Sequence, residues 1–99
     1  MTTKDEAKCY LNDAASDKCF WVNNGPIIKS LDELANALSQ ISDEIFQHHV
    51  TQDKNDFSTW IDDVIGDKKL ANDLLSSKSR ESALKKIRSR LNSLKKKAG

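Results

Sequence analysis

The chain has 99 residues, 37% of them hydrophobic and 31% charged, with a formal net charge of +1. That length makes one domain, and so polar a composition leaves it only a small core. With no apolar run of membrane-spanning length and a polar, mixed-charge first stretch, neither a membrane span nor a signal peptide is expected, and the default location is cytoplasmic.

The small net charge hides a division. Residues 78–99 hold nine basic residues and one acid, Glu81, for a net +8, while residues 1–77 carry −7. An acidic body is followed by a basic segment. The two cysteines, Cys9 and Cys19, flank a polar stretch that a disulfide could close, but a cytosolic chain keeps both reduced. Together with His48 and His49 they lack the closely spaced pairs of a zinc site, so no metal or other cofactor is expected.

In chain order, residues 1–18 show little periodicity. Ala7, Tyr10, Leu11, Ala14 and Ala15 fall on one helical face, so this segment reads as poorly structured or as a short helix over residues 4–15, outside a single helical domain spanning 19–99. Residues 19–29 read as a small β-hairpin. Cys19-Phe20-Trp21-Val22 and Ile27-Ile28 are β-prone runs around Asn23-Asn24-Gly25-Pro26. Pro26 has no N–H to close an Asn-Gly turn, so a turn centred on Asn23 and Asn24, or a wider loop, is expected. Alternation puts Trp21 on the face opposite Phe20 and Val22.

Residues 30–77 read as the helical core. Ser30 and Glu33 have capping-box spacing, and Leu31, Leu34, Ala35, Leu38 and Ile41 form an apolar stripe for a helix over 31–40. Ser42 can cap a short helix from Asp43 to about Val50, with Asp43 and Glu44 in its first turn and Ile45, Phe46, His49 and Val50 inward. His49 on that face is expected to bond the turn at Lys54, Asn55 and Asp56. Phe57, Trp60, Ile61, Val64 and Ile65 mark the central helix, capped by Asn55 or Asp56 and ended by Gly66. Asp67 can cap the next helix, with Leu70, Ala71, Leu74 and Leu75 inward. Ser79 opens a basic last helix, about 80–96, whose seam runs through Ala83, Leu84, Ile87, Leu91 and Leu94. The predicted architecture is a mainly α, compact bundle of four to five short helices with a small N-terminal β-hairpin.

The order Phe46-x-x-His49-Val50, then Asn55-Asp56-Phe57-x-x-Trp60-Ile61, then Val64-Ile65-Gly66-Asp67 and Leu70-Ala71 resembles an uncharacterised, mainly archaeal family of short prokaryotic helical domains. Phe20 and Gly25 followed by Ser30-Leu31-x-Glu33-Leu34 fit that family's opening. The resemblance covers about residues 19–75 and leaves out the first 18 residues and the basic tail. It implies a compact accessory module with no known activity, cofactor or catalytic residue. It also implies Phe46, His49, Asn55, Asp56, Phe57 and Trp60 as the signature of the fold, the same residues that spacing reads as core and caps.

No Gly-rich phosphate loop, nucleophile motif or metal set is present, and adjacent carboxylates such as Asp62 and Asp63 diverge on a helix. A non-enzymatic binding or adaptor domain acting through protein–protein contact is therefore expected, with an unknown protein partner and a surface at Trp21, Ile27 and Ile28. The alternative is RNA or DNA binding through Lys85, Arg88, Arg90, Lys95, Lys96 and Lys97. Against it stands docking of the basic helix on the body, with Asp62, Asp63 and Asp73 as the expected partners. The Leu84, Ile87, Leu91, Leu94 seam is too short for a coiled coil, so a monomer is expected.

Overall fold

In the computed structural model, which describes residues 2–23 and 25–99, Ser30 starts the first long helix, α2 (Leu31–Gln40). Its hydroxyl accepts the Glu33 N–H at 3.2 Å. The return half of the expected capping box is displaced by one residue: the Glu33 carboxylate accepts from the Lys29 N–H at 3.0 Å. Leu31, Leu34 and Leu38 are fully enclosed, as the stripe predicts. Ser42 caps α3 (Asp43–His49) in the same way, and Phe46 and His49 point inward while Ile45 is only half-buried.

The central helix begins as α4 (Asp56–Trp60) and continues as a π-helical turn (Ile61–Ile65) that periodicity does not reveal. The Gly66 N–H closes this turn on the Ile61 carbonyl at 2.7 Å. Gly66 takes φ +90°, where a side chain is strained. The wider turn changes the angular step, so Val64 sits half-buried while Ile61 and Ile65 stay inside. Asn55 caps α4 by accepting the Ser58 N–H at 3.0 Å. Its amide also donates to the Leu74 carbonyl at 3.0 Å, and the Ser58 hydroxyl to that of Ala71 at 2.6 Å. These two bonds stitch α4 to α5 (Lys68–Leu74). Leu75, expected inward, lies just past α5 and is exposed.

The last helix, α6 (Arg80–Ala98), buries Ala83, Ile87, Leu91 and Leu94 against the body. Its charges do answer acidic residues, but not the expected ones. Arg80 pairs with Asp43, Arg90 with Asp67 and Lys95 with Asp32. Asp62 and Asp73 are instead held by Lys68 and Lys69 from their own neighbourhood. Asp67, capping α5 through the Leu70 N–H, is 1% exposed and takes both bonds of the Arg90 guanidinium, at 2.7 and 3.0 Å.

Residues 1–18, expected to stand outside the domain, hold α1 (Lys4–Leu11), which stops at Leu11 rather than Ala15. Thr3 and Glu6 form a reciprocal capping box that the apolar pattern alone does not show. The helix packs on α6, and Ala7 is fully enclosed. A single turn of 3-10 helix (Ser16–Lys18) leads into the hairpin, and the Lys18 carbonyl accepts from the Trp60 indole at 2.8 Å. The hairpin pairs β1 (Phe20–Trp21) with β2 (Ile27–Ile28), antiparallel, Phe20 opposite Ile28 and Trp21 opposite Ile27. The Gly25 N–H bonds the Val22 carbonyl at 3.0 Å, which centres the turn on positions 23 and 24; Asn24 itself lies outside the described residues. A Cβ on Gly25 would stand 2.8 Å from a Val22 methyl, so only glycine closes this turn without displacing a buried side chain.

The result is a mainly α protein, six α-helices and a small N-terminal hairpin among the described residues, folded around one core. Phe46, Phe57 and Phe20 stack in sequence at 5.7 and 5.0 Å, and Trp60 meets Phe20 edge-on at 6.0 Å. This aromatic column carries contact from α3 through α4 to the hairpin. Burial of each Phe is worth about 1.5–3 kcal/mol. No helix among the described residues is long and apolar enough to cross a membrane.

Asp67→Ala strips the cap from α5 and leaves the largely buried Arg90 without a counter-ion. The expected loss is about 3–5 kcal/mol in urea denaturation, whereas Lys95→Ala, which opens an exposed pair, is expected to cost less than about 1 kcal/mol. The Glu6 carboxyl is held below the usual carboxylate range by the Thr3 N–H and hydroxyl. A depressed carboxylate stabilises above its unfolded pKa and loses that contribution as pH falls through its lower folded value. Amides of α1 are therefore expected to lose hydrogen-exchange protection before those of α2 as pH drops below about 4.

Candidate partner-binding surface

Three residues were expected to form the partner surface, and the hairpin register separates them. The Val22 N–H bonds the Pro26 carbonyl at 3.2 Å, so Val22 and Pro26 form a hydrogen-bonded pair. The next pair, Trp21 and Ile27, is then non-hydrogen-bonded, with its side chains close together on one face. That face points outward: Trp21 is 72% exposed and Ile27 51%. Phe20, Val22 and Ile28 take the other face. Ile28, expected as a contact residue, is 1% exposed and belongs to the core. Alternation decides this once Ile28 is known to oppose Phe20.

Beside the outward pair lies a groove of about 370 Å³ between β2 and α2. Pro26, Ile27 and Ala37 supply apolar walls, and Glu33, Asn36 and Gln40 the polar rim. The α2 residues of this groove follow one another at helical spacing, but their proximity to β2 depends on how the hairpin docks. Leu75, 53% exposed, is a further outward apolar residue that its place beside Leu74 conceals.

The turn is anchored by a buried histidine. His49 is 6% exposed, and its Nε2 accepts from the Asn23 N–H at 3.0 Å. The proton therefore sits on Nδ1, which donates to Asp56 Oδ2 at 3.0 Å. Lys54 Nζ reaches the same oxygen at 3.3 Å. Phe20 and Phe57 pack on the imidazole at 5.1 and 5.3 Å, and His48 lies edge-on at its outer side. His49 thus bonds the expected turn and a second element, the hairpin, that spacing does not point to. The His–Asp pair has the outline of a general base with its orienting carboxylate, but both ring nitrogens already hold protein partners. Phe46, Asn55, Asp56, Phe57 and Trp60 surround or brace this node and act as core and caps.

The six basic residues of the alternative reading are dispersed around α6. Arg90 is committed to Asp67 and to the Thr2 hydroxyl, at 2.9 Å, and its side chain is 11% exposed, so it is a structural residue rather than a phosphate contact. Lys95 pairs with Asp32, and Lys97 donates to the Thr2 carbonyl at 2.9 Å. At 100° per residue, Lys85 and Lys96 face away from the core while Arg88 lies towards α2. Lys85, Arg88, Lys95 and Lys96 thus fall within about 100° of one another on α6, and Arg90 and Lys97 lie on another side. Cys9 is an exposed thiol, and Cys19 a half-buried one whose sulfur bonds the Ala15 carbonyl.

Compared with protein families, curated proteins and solved structures, the chain finds no match.

His49→Leu leaves the Asn23 N–H and the Asp56 carboxylate without their ring partner. A loss of about 1–3 kcal/mol is expected in urea denaturation, accompanied by faster exchange of the Asn23 amide and altered NMR shifts at Trp21.

Proposed function

We propose that this chain is a small non-enzymatic binding domain that engages a partner protein through the outward face of its hairpin. The observation that carries the proposal is the exposed cross-strand pair of Trp21 and Ile27, set beside a groove with apolar walls. Trp is the side chain most often found as an interface anchor, and a rigid two-residue apolar pair held by a braced turn presents it with little entropy left to lose. The partner surface that complements it is apolar, seated over Trp21 and Ile27, with hydrogen bonds to the amides of Asn36 and Gln40. The resemblance of residues 19–75 to a family of accessory modules is consistent with this role. The nucleic-acid reading ranks second, because Arg90 is committed to Asp67, Lys95 is paired with Asp32, and Lys97 lies on a different side of α6 from Lys85, Arg88 and Lys96.

The test is a comparison of variants against any protein captured by the wild-type chain. Trp21→Ala and Ile27→Ser are expected to abolish capture while leaving the melting temperature close to wild type. Leu75→Ser, which removes an exposed apolar residue elsewhere, is expected to preserve it. Equal capture by all three variants and the wild type would remove the hairpin surface from consideration.

A further inference from the structure

An open groove of about 730 Å³ lies where α1, the turn at Gly66 and Asp67, the start of α5 and the C-terminal half of α6 meet. That volume is in the range of ligand pockets. Its walls carry the cations Lys68, Lys69, Arg90 and Lys97 and the acids Glu6 and Asp67. The hydroxyls of Thr2, Tyr10 and Ser93 also line it. A smaller hollow of about 200 Å³ shares Lys69, Arg90 and Ser93 and adds Lys86, Ser89 and Asp73. Together they form one trough along the side of α6 that bears residues 86, 90, 93 and 97.

Each of the three acids that line this trough has a partner, Asp73 holding Lys69 in an exposed pair. Both Asp67 oxygens bond Arg90, and one also caps α5, so these two charges cancel. Glu6 accepts from the Thr3 N–H at 3.0 Å and from the Tyr10 hydroxyl at 3.5 Å. Burial and the nearby Glu6 push the Tyr10 phenol up, which keeps it a donor. The lysines are far less committed. Among the described residues Lys97 bonds only the Thr2 carbonyl, and Lys86 only the Asp73 carbonyl and the Ser76 hydroxyl, all neutral acceptors. Lys68 and Lys69 pair with Asp62 and Asp73, but their side chains are 81% and 67% exposed. Pairs of that kind are worth about 0–1 kcal/mol, so these ammonium groups can turn to another anion at small cost.

Four lysines with exposed or neutral partners line one trough beside the Ser93 hydroxyl, a set that matches an anion carrying several charges and several oxygens. A phosphate group supplies both, and the compact ammonium accepts its oxygens from many directions. A carboxylate offers a single charge and two oxygens. We propose that the trough binds a small phosphorylated molecule, with Lys69 and Lys97 as principal contacts and Lys68, Lys86 and the Ser93 hydroxyl completing the set. The site is built from α1, α5 and α6, and it stands or falls independently of the hairpin surface.

The experiment is an NMR titration of the isotopically labelled full chain at low salt, using pyrophosphate, ATP without metal, a sugar monophosphate and a single-stranded RNA oligomer. Saturable shifts of the Tyr10, Gly66, Lys69 and Ser93 amides are expected with pyrophosphate or ATP. Response to pyrophosphate and ATP alike would assign recognition to the phosphates; response to ATP alone would add the nucleoside. The double variant Lys69→Glu with Lys97→Glu is expected to lose the response. Lys85→Glu with Lys96→Glu, an equal change of net charge on the far side of α6, is expected to retain it. If the first pair proves unfolded by circular dichroism, Lys69→Gln with Lys97→Gln takes its place. The proposal is overturned by equal weakening in both pairs, by shifts with RNA alone that extend to Lys85 and Lys96, or by no saturable shift with any of these ligands.

Discussion

One carboxylate, Asp67, holds the two oppositely charged parts of the chain together. It is 1% exposed, caps α5 through the Leu70 N–H, and receives both bonds of the Arg90 guanidinium. A buried ion pair is weak evidence for net stability, because desolvation of both charges offsets much of their attraction. Its consequence here is register. The stripe of Ala83, Ile87, Leu91 and Leu94 would bury similar area if α6 slid or rotated slightly on the body, since apolar contact is non-directional. A bidentate guanidinium bond to a fixed, enclosed carboxylate tolerates no such movement. With α6 pinned, Lys95 meets Asp32, Arg80 meets Asp43, and α6 offers the surface on which α1 lies.

The hairpin depends on a second node of the same kind. Two strands of two residues have too few ladder bonds to persist in water alone. They persist here because Phe20, Val22 and Ile28 join the core, and because His49 ties the turn to α4 through Asn23 and Asp56. All the apolar residues the core can use come from one face of the hairpin. Trp21 and Ile27 are left on the other face by geometry, where they add nothing to the core. Their exposure beside a groove is what the proposed contact role rests on.

Local signals in the sequence were legible, and the structure shows why. N-caps act within one turn, so Ser30, Ser42, Asn55, Asp67 and Ser79 all begin helices where a capping side chain precedes an apolar periodicity. The inward residues of α2 and α6 and the aromatic core of α4 follow from the same spacing. What was not legible is set by tertiary geometry. The role of Ile28 depends on its register with Phe20, which neither strand encodes alone. The partners of Arg90 and Lys95 depend on how α6 lies, and opposite charges in sequence do not state which will meet. The π-helical turn keeps every residue an α-helix would use and differs only in where Gly66 closes it. Of the candidate surface, Trp21 could be read from alternation, while the groove wall on α2 could not.

The division of charge, +8 on residues 78–99 against −7 elsewhere, looks in the sequence like a basic tail made for an external polyanion. In the folded chain three of its nine basic residues pair with acids, and these acids are spread over α2, α3 and the start of α5 rather than gathered in one cluster. Arg80, Arg90 and Lys95 tie α6 to the body, while Lys85, Arg88 and Lys96 stay exposed on its outer side. On the side that looks towards α1 and α5, Lys86 and Lys97 rest on neutral oxygens, and Lys68 and Lys69 of the neighbouring helix hold exposed pairs with Asp62 and Asp73. A like-charged cluster of this kind lowers the stability of the compact state through its own repulsion. An arrangement that pairs three of the nine basic residues with acids inside the fold, and gathers these four lysines along one trough, concentrates the field of the proposed anion site there.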